Sequence, residues 1–344
     1  MLRVRIMTLL EITTIAQTFD QYIKDGLHDS AARFLVDTVP KYVLRPFKLG
    51  ANTKYLAHYT SIDALFSILS CPIKHDSQFA LSTGGAPETP NKSSGFLRMY
   101  DTFNSNDPNE GQFFVSSSRS HNRFSSQHPV LWTLIVERTR LPAYVASFRA
   151  VSRLKDVDDL VFWRTYGKNG QGCAIVFPVS FFTADTPAMQ VQYGRQSVQL
   201  TLDNLSNVFN SLTSVKSLRN SAILTGTDSL PKYISLSLSP IPYLHKSKNY
   251  KYESEVRVVV PYADLAPKSL FCHRIHDIET GSKLRHFANL KALHIDNILR
   301  TDSFIMLGPA VTSKPNLMFV LEKRLANLGL VGSGIISSTI EYRI

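Results

Sequence analysis

"YLAHYTSIDALFSIL", residues 55–69, changes its period in the middle. Leu56 and its neighbours read as a short strand, and Thr60 or Ser61 can then accept a hydrogen bond from a free helix N–H. From there Ile62, Leu65, Ile68 and Leu69 fall on one helical face. The pattern predicts a strand running directly into a capped helix, with His58 and Tyr59 at the junction. Such a junction offers polar groups and unpaired N–H donors to a ligand, and it is equally a place for a satisfied structural histidine. The stretch by itself leaves both readings open.

Outward from this unit the chain alternates helical and extended patterns. Before it, residues 8 to about 38 have Leu9, Ile12, Ile15, Phe19, Tyr22 and Ile23 at near-helical spacing, with Pro40 closing the segment. We read residues 1–50 as an N-terminal helical extension and 51–344 as the main domain. After it, "STGGAPETPNKSSG" at 82–95 is a polar loop, either a flap over a site or plain surface. "QFFVSSS", "VLWTLIVE" and "GCAIVFP" are short, β-branched or aromatic, and bounded by turn residues, which predicts three strands. "VDDLVFWRTYGKNGQG" between them predicts a helix or turn ending in glycines. Residues near 200–240 are rich in Leu, Ser and Asn and predict a helical insertion. "EVRVVVP" resumes the strands, and the tail predicts a helix from near Pro315, a stop at Gly329 and a last strand. The fold class is α+β, with no internal repeat.

The 344 residues are 44% hydrophobic, ample for a core. No apolar run approaches the roughly 20 residues of a membrane helix, so no membrane partner is expected. Glu11 interrupts the N-terminal apolar run, so no secretory signal is expected and the cytoplasm is the expected compartment. Cys71, Cys173 and Cys272 are too few and too scattered for a disulfide framework. A formal net charge of +11 and a pI near 9.5 would attract phosphate-rich partners, nucleic acid or a dinucleotide, although the basic residues are dispersed.

Several chemistries lack their residues. There is no Walker loop, no HExxH helix and no GxSxG elbow, and the glycines of "GKNGQG" precede a strand where a dinucleotide fingerprint would open a helix. Cys272, His273 and His276 of "CHRIH" have no second cluster to complete a metal site, so no metal is expected. "KSKNYKYESEVRVVVP", residues 246–261, carries more. In extended conformation Glu253 and Glu255 point to one face, where like charges raise one another's pKa. That suits a solvated strand end, or a site that handles a sugar hydroxyl or a developing cation. "FFVSSS" adds hydroxyls at Ser116, Ser117 and Ser118, able to fix neighbouring groups by short bonds.

The ordered series "HYTS", "FNSNDPNEG", "FVSSS", "FWRTYGKNGQGCAIVF", "YESEVRVVV", "IMLGP" and "IEYR" resembles a family of uncharacterised bacterial proteins with HYT, NDP, WxxYG and ExExR motifs. The resemblance spans roughly residues 55–343. That family is similar, more remotely, to ADP-ribosyltransferases, including DarT-type toxins that modify nucleic acid. The resemblance implies an ADP-ribosyltransferase-like split β-sheet that binds NAD as substrate in a cleft. It implies that His58, with Thr60, binds the ribose or nicotinamide side and that Ser116 and Ser118 brace the cleft. It further implies that Glu255 is catalytic, while Glu253 activates or orients the acceptor. A carboxylate is what the chemistry demands, because breaking the nicotinamide–ribose bond passes through an oxocarbenium-like cation. Trp163, Tyr166 or Phe124 would stack on nicotinamide, Tyr59 would lie in the core, and Arg98 and Asn106 are further NAD contacts by order alone. With His58 where arginine-directed transferases carry Arg, transfer to a protein arginine does not carry over.

The expected function is thus a mono-ADP-ribosyltransferase, a toxin or phage-defence effector acting on RNA or single-stranded DNA in preference to protein, with a neutralising antitoxin protein as a further partner. An NAD glycohydrolase is the alternative within the same chemistry. A non-catalytic nucleic-acid-binding module is the alternative outside it.

Overall fold

The structure is a computed structural model. It describes residues 9–27, 43–70, 95–102, 111–119, 122–140, 143–182, 188–214, 238–261, 270–277, 281–288, 293–299, 302–330 and 332–341, with single residues at 30, 34, 38, 39 and 109. Asn106, Cys71 and the loop at 82–94 lie outside the described residues. In chain order the elements are α1 (Leu9–Lys24), β1 (Tyr55–Thr60), α2 (Ile62–Ser70), β2 (Met99–Asp101), α3 (Gln112–Ser118), α4 (Asn122–Gln127), α5 (Pro129–Arg138) and β3 (Ala143–Val151). There follow α6 (Leu160–Thr165), β4 (Cys173–Pro178), β5 (Met189–Gln190), β6 (Gln192–Tyr193), α7 (Arg195–Ser214), β7 (His245–Lys246) and β8 (Glu255–Pro261). β9 (Leu270–Asp277), β10 (Gly281–Ala288), α8 (Ile295–Ile298), β11 (Phe304–Leu307), α9 (Lys314–Asn327) and β12 (Gly334–Ser337) complete them.

The architecture is α+β around one mixed sheet. Its order is β12-β11-β4-β1-β3-β2-β10-β9, with β8 on β3 and β5 on β8. β11 and β12 run parallel, while the other pairs of this sheet are antiparallel. The sheet forks at β3. The β1–β3 ladder ends at Ala57↔Arg149, yet β1 stays with β4 as far as Thr60↔Cys173. β2 then takes up β3 at Val145 and Tyr144, and β8 pairs along Ala143–Arg149. Ala150 N–H bonds the Ser254 carbonyl on the β8 side and the Val151 carbonyl accepts from Lys54 on the β1 side, so backbone alternation turns the Ser147 carbonyl into the fork.

Strand alternation sorts the side chains into two faces. On one, Leu56, Phe148, Ile175, Phe177, Val256 and Val258 pack against Leu65 and Leu69 of α2 and Leu321 and Leu325 of α9. The other face carries two apolar groups. Ala57, Val151, Ala174 and Val176 meet Trp163 of α6, while Ala143, Met189 and Val259 meet α1, α3, α5 and α7 through Ile15, Phe19, Phe114, Leu131, Val198 and Leu205.

Residues 112–118 and 129–138, expected to hold strands, are helices. Short apolar runs do not distinguish the two states by composition. Here Leu131 and Ile135, one helical turn apart, both reach the core shared with α7, and the helical neighbours decide. The strand readings of 172–178 and 255–261, the helix entered through Pro315 and the stop at Gly329 match the observed elements. Ser61, whose hydroxyl accepts from Ala64 N–H at 3.1 Å, caps α2. The helical insertion is represented by α7, which begins at Arg195; residues 215–237 are outside the described set. Residues Ile15, Phe19 and Phe47 of the N-terminal segment are buried in the core that α3 and α7 share. Among the described residues, no helix is long and apolar enough to cross a membrane.

Candidate functional site

Between the two apolar groups of the second face lies a cluster of charge. Its geometry begins with a tight turn. Ser247 caps a 3-10 helix, Lys248–Glu253, and Ser254 ends it in the left-handed region at φ 46° before β8 starts at Glu255. The simple extended pairing expected of Glu253 and Glu255 is therefore absent. Both carboxylates nevertheless converge on one cation: Lys246 Nζ lies 2.9 Å from an oxygen of each.

Arg257, two residues along β8 on the same face, is buried and donates through Nε at 2.7 Å and Nη2 at 3.1 Å to the two oxygens of Glu255. Its Nη1 donates to the Tyr243 carbonyl. The Ser147 hydroxyl, from β3, also bonds Glu255. Burial alone would raise the Glu255 pKa, but the Arg257 and Lys246 charges and these bonds overcome it and hold the carboxyl down to about 2. Burial opposes the charge of Lys246 too, and Glu255 outweighs it, so the ammonium is raised above its ordinary range. Two carboxylates and two cations make the cluster neutral in sum.

The two glutamates differ in what remains open. An ionised carboxylate has about four acceptor positions. Glu255 receives Arg257 twice, Lys246 and Ser147, which fills them. Among the described residues Glu253 receives only Lys246 and the Tyr166 hydroxyl. Tyr166 is 40% exposed, so its phenol closes Glu253 off from solvent at the rim. Burial and the bond to Glu253 raise its pKa. Alongside, Arg149 lies opposite Glu255 in the β3–β8 register, stacks 3.8 Å over Phe162 and pairs with Asp159 at 2.8 Å.

The other expected site residues fall elsewhere. His58 alternates to the opposite face, where its ring meets Phe148 edge-on, and its Nδ1 takes the Ser147 carbonyl at 3.1 Å, at the fork. The ring is half-buried, and burial lowers its pKa against that backbone bond. It reaches the carboxylates only through Ser147. Tyr59 shares the carboxylate face, where it packs on Phe162 and Trp163 and donates to the Val157 carbonyl. Thr60 ends β1, with its carbonyl against Gly172.

Ser116 and Ser118 stand on helix α3 and turn their hydroxyls back to the carbonyls of Phe113 and Val115, so they are not the cleft-bracing strand expected. Trp163 is fully buried with its indole N–H on Asp158 at 2.8 Å, and Phe124 is fully buried in the α-helical core; neither has a face to stack on a ligand. Arg98 donates to Ser67 of α2, a helix on the opposite face. Sequence reasoning missed Lys246 and Ser147. Arg257 stood in plain view in the ExExR string, whereas Ser147, in the apolar run "AYVASFRAV", carried no local signal.

A family model described as "Protein of unknown function (DUF2971)" matches residues 162–258, a span that holds Tyr166, Lys246, Glu253, Glu255 and Arg257. No curated protein matches the chain. No solved structure matches it either.

Proposed function

We propose that this chain is an ADP-ribosyltransferase that cleaves NAD at the Glu253–Glu255 cluster and passes ADP-ribose to a macromolecule, as a toxin-like or phage-defence effector. The observation that carries this reading is the pair of carboxylates held in place beside a forked sheet, one saturated and one with acceptor capacity left. The roles then fall the other way from the sequence expectation. Glu255 is the anchor that fixes the charge, and Glu253, uncovered when the Tyr166 side chain moves aside, accepts from a ribose hydroxyl. Within this neutral cluster, a carboxylate oxygen of Glu253 turned to the ribose favours the positive charge that develops at C1′ as the C1′–N bond breaks and its electrons leave with nicotinamide. The acceptor then forms the new bond at C1′ and loses one proton to solvent. The residues present fit NAD at its nicotinamide-ribose end, where a carboxylate with open lone pairs and an exposed phenol adjoin. His58 acts at one remove, holding β3 at the fork.

The test is to compare Glu253→Gln and Glu255→Gln for nicotinamide release from NAD. Glu253→Gln should lose about a hundredfold or more in turnover, with a smaller drop in melting temperature than Glu255→Gln because Lys246 keeps Glu255 as a partner. Glu255→Gln should lose both activity and stability. Label from the adenylate half recovered in RNA or single-stranded DNA supports transfer to nucleic acid, the target favoured by the net charge of +11. Free ADP-ribose formed without an acceptor favours the glycohydrolase. Wild-type protein that consumes no NAD would sink the proposal.

A further inference from the structure

The rim around the carboxylate cluster has a chemistry of its own. Tyr166, Tyr250 and Tyr252 are 40%, 36% and 50% exposed, three open aromatic rings at one rim. They are contiguous. Phe162 contacts both Tyr166 and Tyr252, at 5.7 and 6.5 Å between ring centres, and Lys246 Nζ lies 5.0 Å over the Tyr250 ring while bonding Glu253, the partner of Tyr166. The two segments that supply them, 160–170 and 247–254, also expose Arg164, Lys168, Lys248 and Lys251. Their one carboxylate, Glu253, is buried and paired. Asp159, just before the first segment, is partly exposed but held by Arg149, so the exposed charge within these two segments is positive, and it alternates with rings in "KNYKY" and "RTYGK".

We propose that this rim is a binding surface for single-stranded nucleic acid, with bases stacked on Tyr250 and Tyr252 and the phosphate backbone drawn along Lys168, Lys248 and Lys251. Stacking needs an unpaired base and an open ring face, while the lysines need only the repeating negative charge. A duplex keeps its bases stacked on each other and offers only the second attraction. An acidic protein would meet the same charge but gives the tyrosines no series of flat faces. The surface does not depend on the proposed NAD chemistry, because binding requires no turnover.

The test uses the full chain without NAD and a fluorescently labelled mixed-sequence 12-nucleotide single strand, as RNA and as DNA, followed by anisotropy against salt. Wild type should bind the single strand more tightly than the matching duplex, with affinity falling as salt rises. Tyr250→Ala/Tyr252→Ala should weaken single-strand binding by about tenfold or more with little change in the salt slope, and Lys248→Ala/Lys251→Ala should flatten that slope. All four side chains are exposed, so circular dichroism should show an unchanged fold. Equal affinity of wild type and the tyrosine variant overturns the proposal, as does equal affinity for single strand and duplex. Loss of NAD cleavage with this binding intact counts against the enzymatic reading alone. Intact NAD cleavage without this binding overturns the surface alone.

Discussion

His58 sits where β1 leaves β3, and its ring supplies the partner that the Ser147 carbonyl loses when the ladder ends. Ser147 is exposed, so water competes for this carbonyl, and a histidine on the departing strand is long enough to span the gap and supply a fixed partner. Replacing His58 by Ala should therefore lower stability by about 1 kcal/mol at most, read from urea midpoints, and, on the proposed NAD reading, leave the affinity for NAD nearly unchanged. A weakened NAD affinity at unchanged stability would return the ring to the ligand. Lys246 presents the opposite case of charge. Removing it leaves Glu253 and Glu255 buried with one cation between them, so Lys246→Met should cost about 3–5 kcal/mol, and adding Glu255→Gln should recover part of that loss. A double variant as unstable as the sum of the singles would show that the two groups are not coupled.

At the scale of elements, the loop after α6 is fixed by close backbone approach. Gly172 N–H bonds the Gly167 carbonyl, Gly308 N–H bonds the Gly172 carbonyl, and a Cβ at Gly172 would stand 2.2 Å from the Thr60 carbonyl oxygen. Gly172→Ala must push β1 or the loop aside. It should cost more than about 2 kcal/mol. Gly26, at φ +73° after α1 with open space around it, pays only the left-handed backbone, about 1 kcal/mol on substitution by Ala. Thermal melts of the two variants give the contrast. This loop was legible as a glycine-terminated turn because glycine marks such geometry in the sequence itself. Helices α3 and α5 were not legible, since Phe113, Phe114, Val115 and the run from Val130 suit a strand or a helix equally until a neighbour is specified.

For the molecule as a whole, acid stability should fall in two stages. His245 is buried between the Phe47 and Phe114 rings and bonds Ser197 and Thr201, and burial pushes its pKa down to about 3 from 6.5. A folded value below the unfolded one means the unfolded chain takes the proton first, so this contribution is complete above about pH 6.5 and drains away toward pH 3. His58 adds the same sign. Glu255, with its pKa lowered from 4.5 to about 2, opens a second limb below about pH 4.5. Urea midpoints from pH 7.5 to 3.5 should show both limbs, and His245→Gln should flatten the first while leaving the second; an unchanged first limb would assign it to other groups. The sequence by itself determined the strand-to-helix unit at 55–69, the β8 strand, the terminal helix and its glycine stop, because period, caps and glycines are local properties of the chain. It also named the glutamate pair, a matter of residue type and spacing. Only the tertiary structure decided that β1 and β2 share one edge of β3, that His58 serves the fork, and that Lys246 and Ser147 meet Glu255. Those depend on which strands pair and in what register, a long-range choice in which Ser147 and Glu255 become neighbours only once β8 lies beside β3.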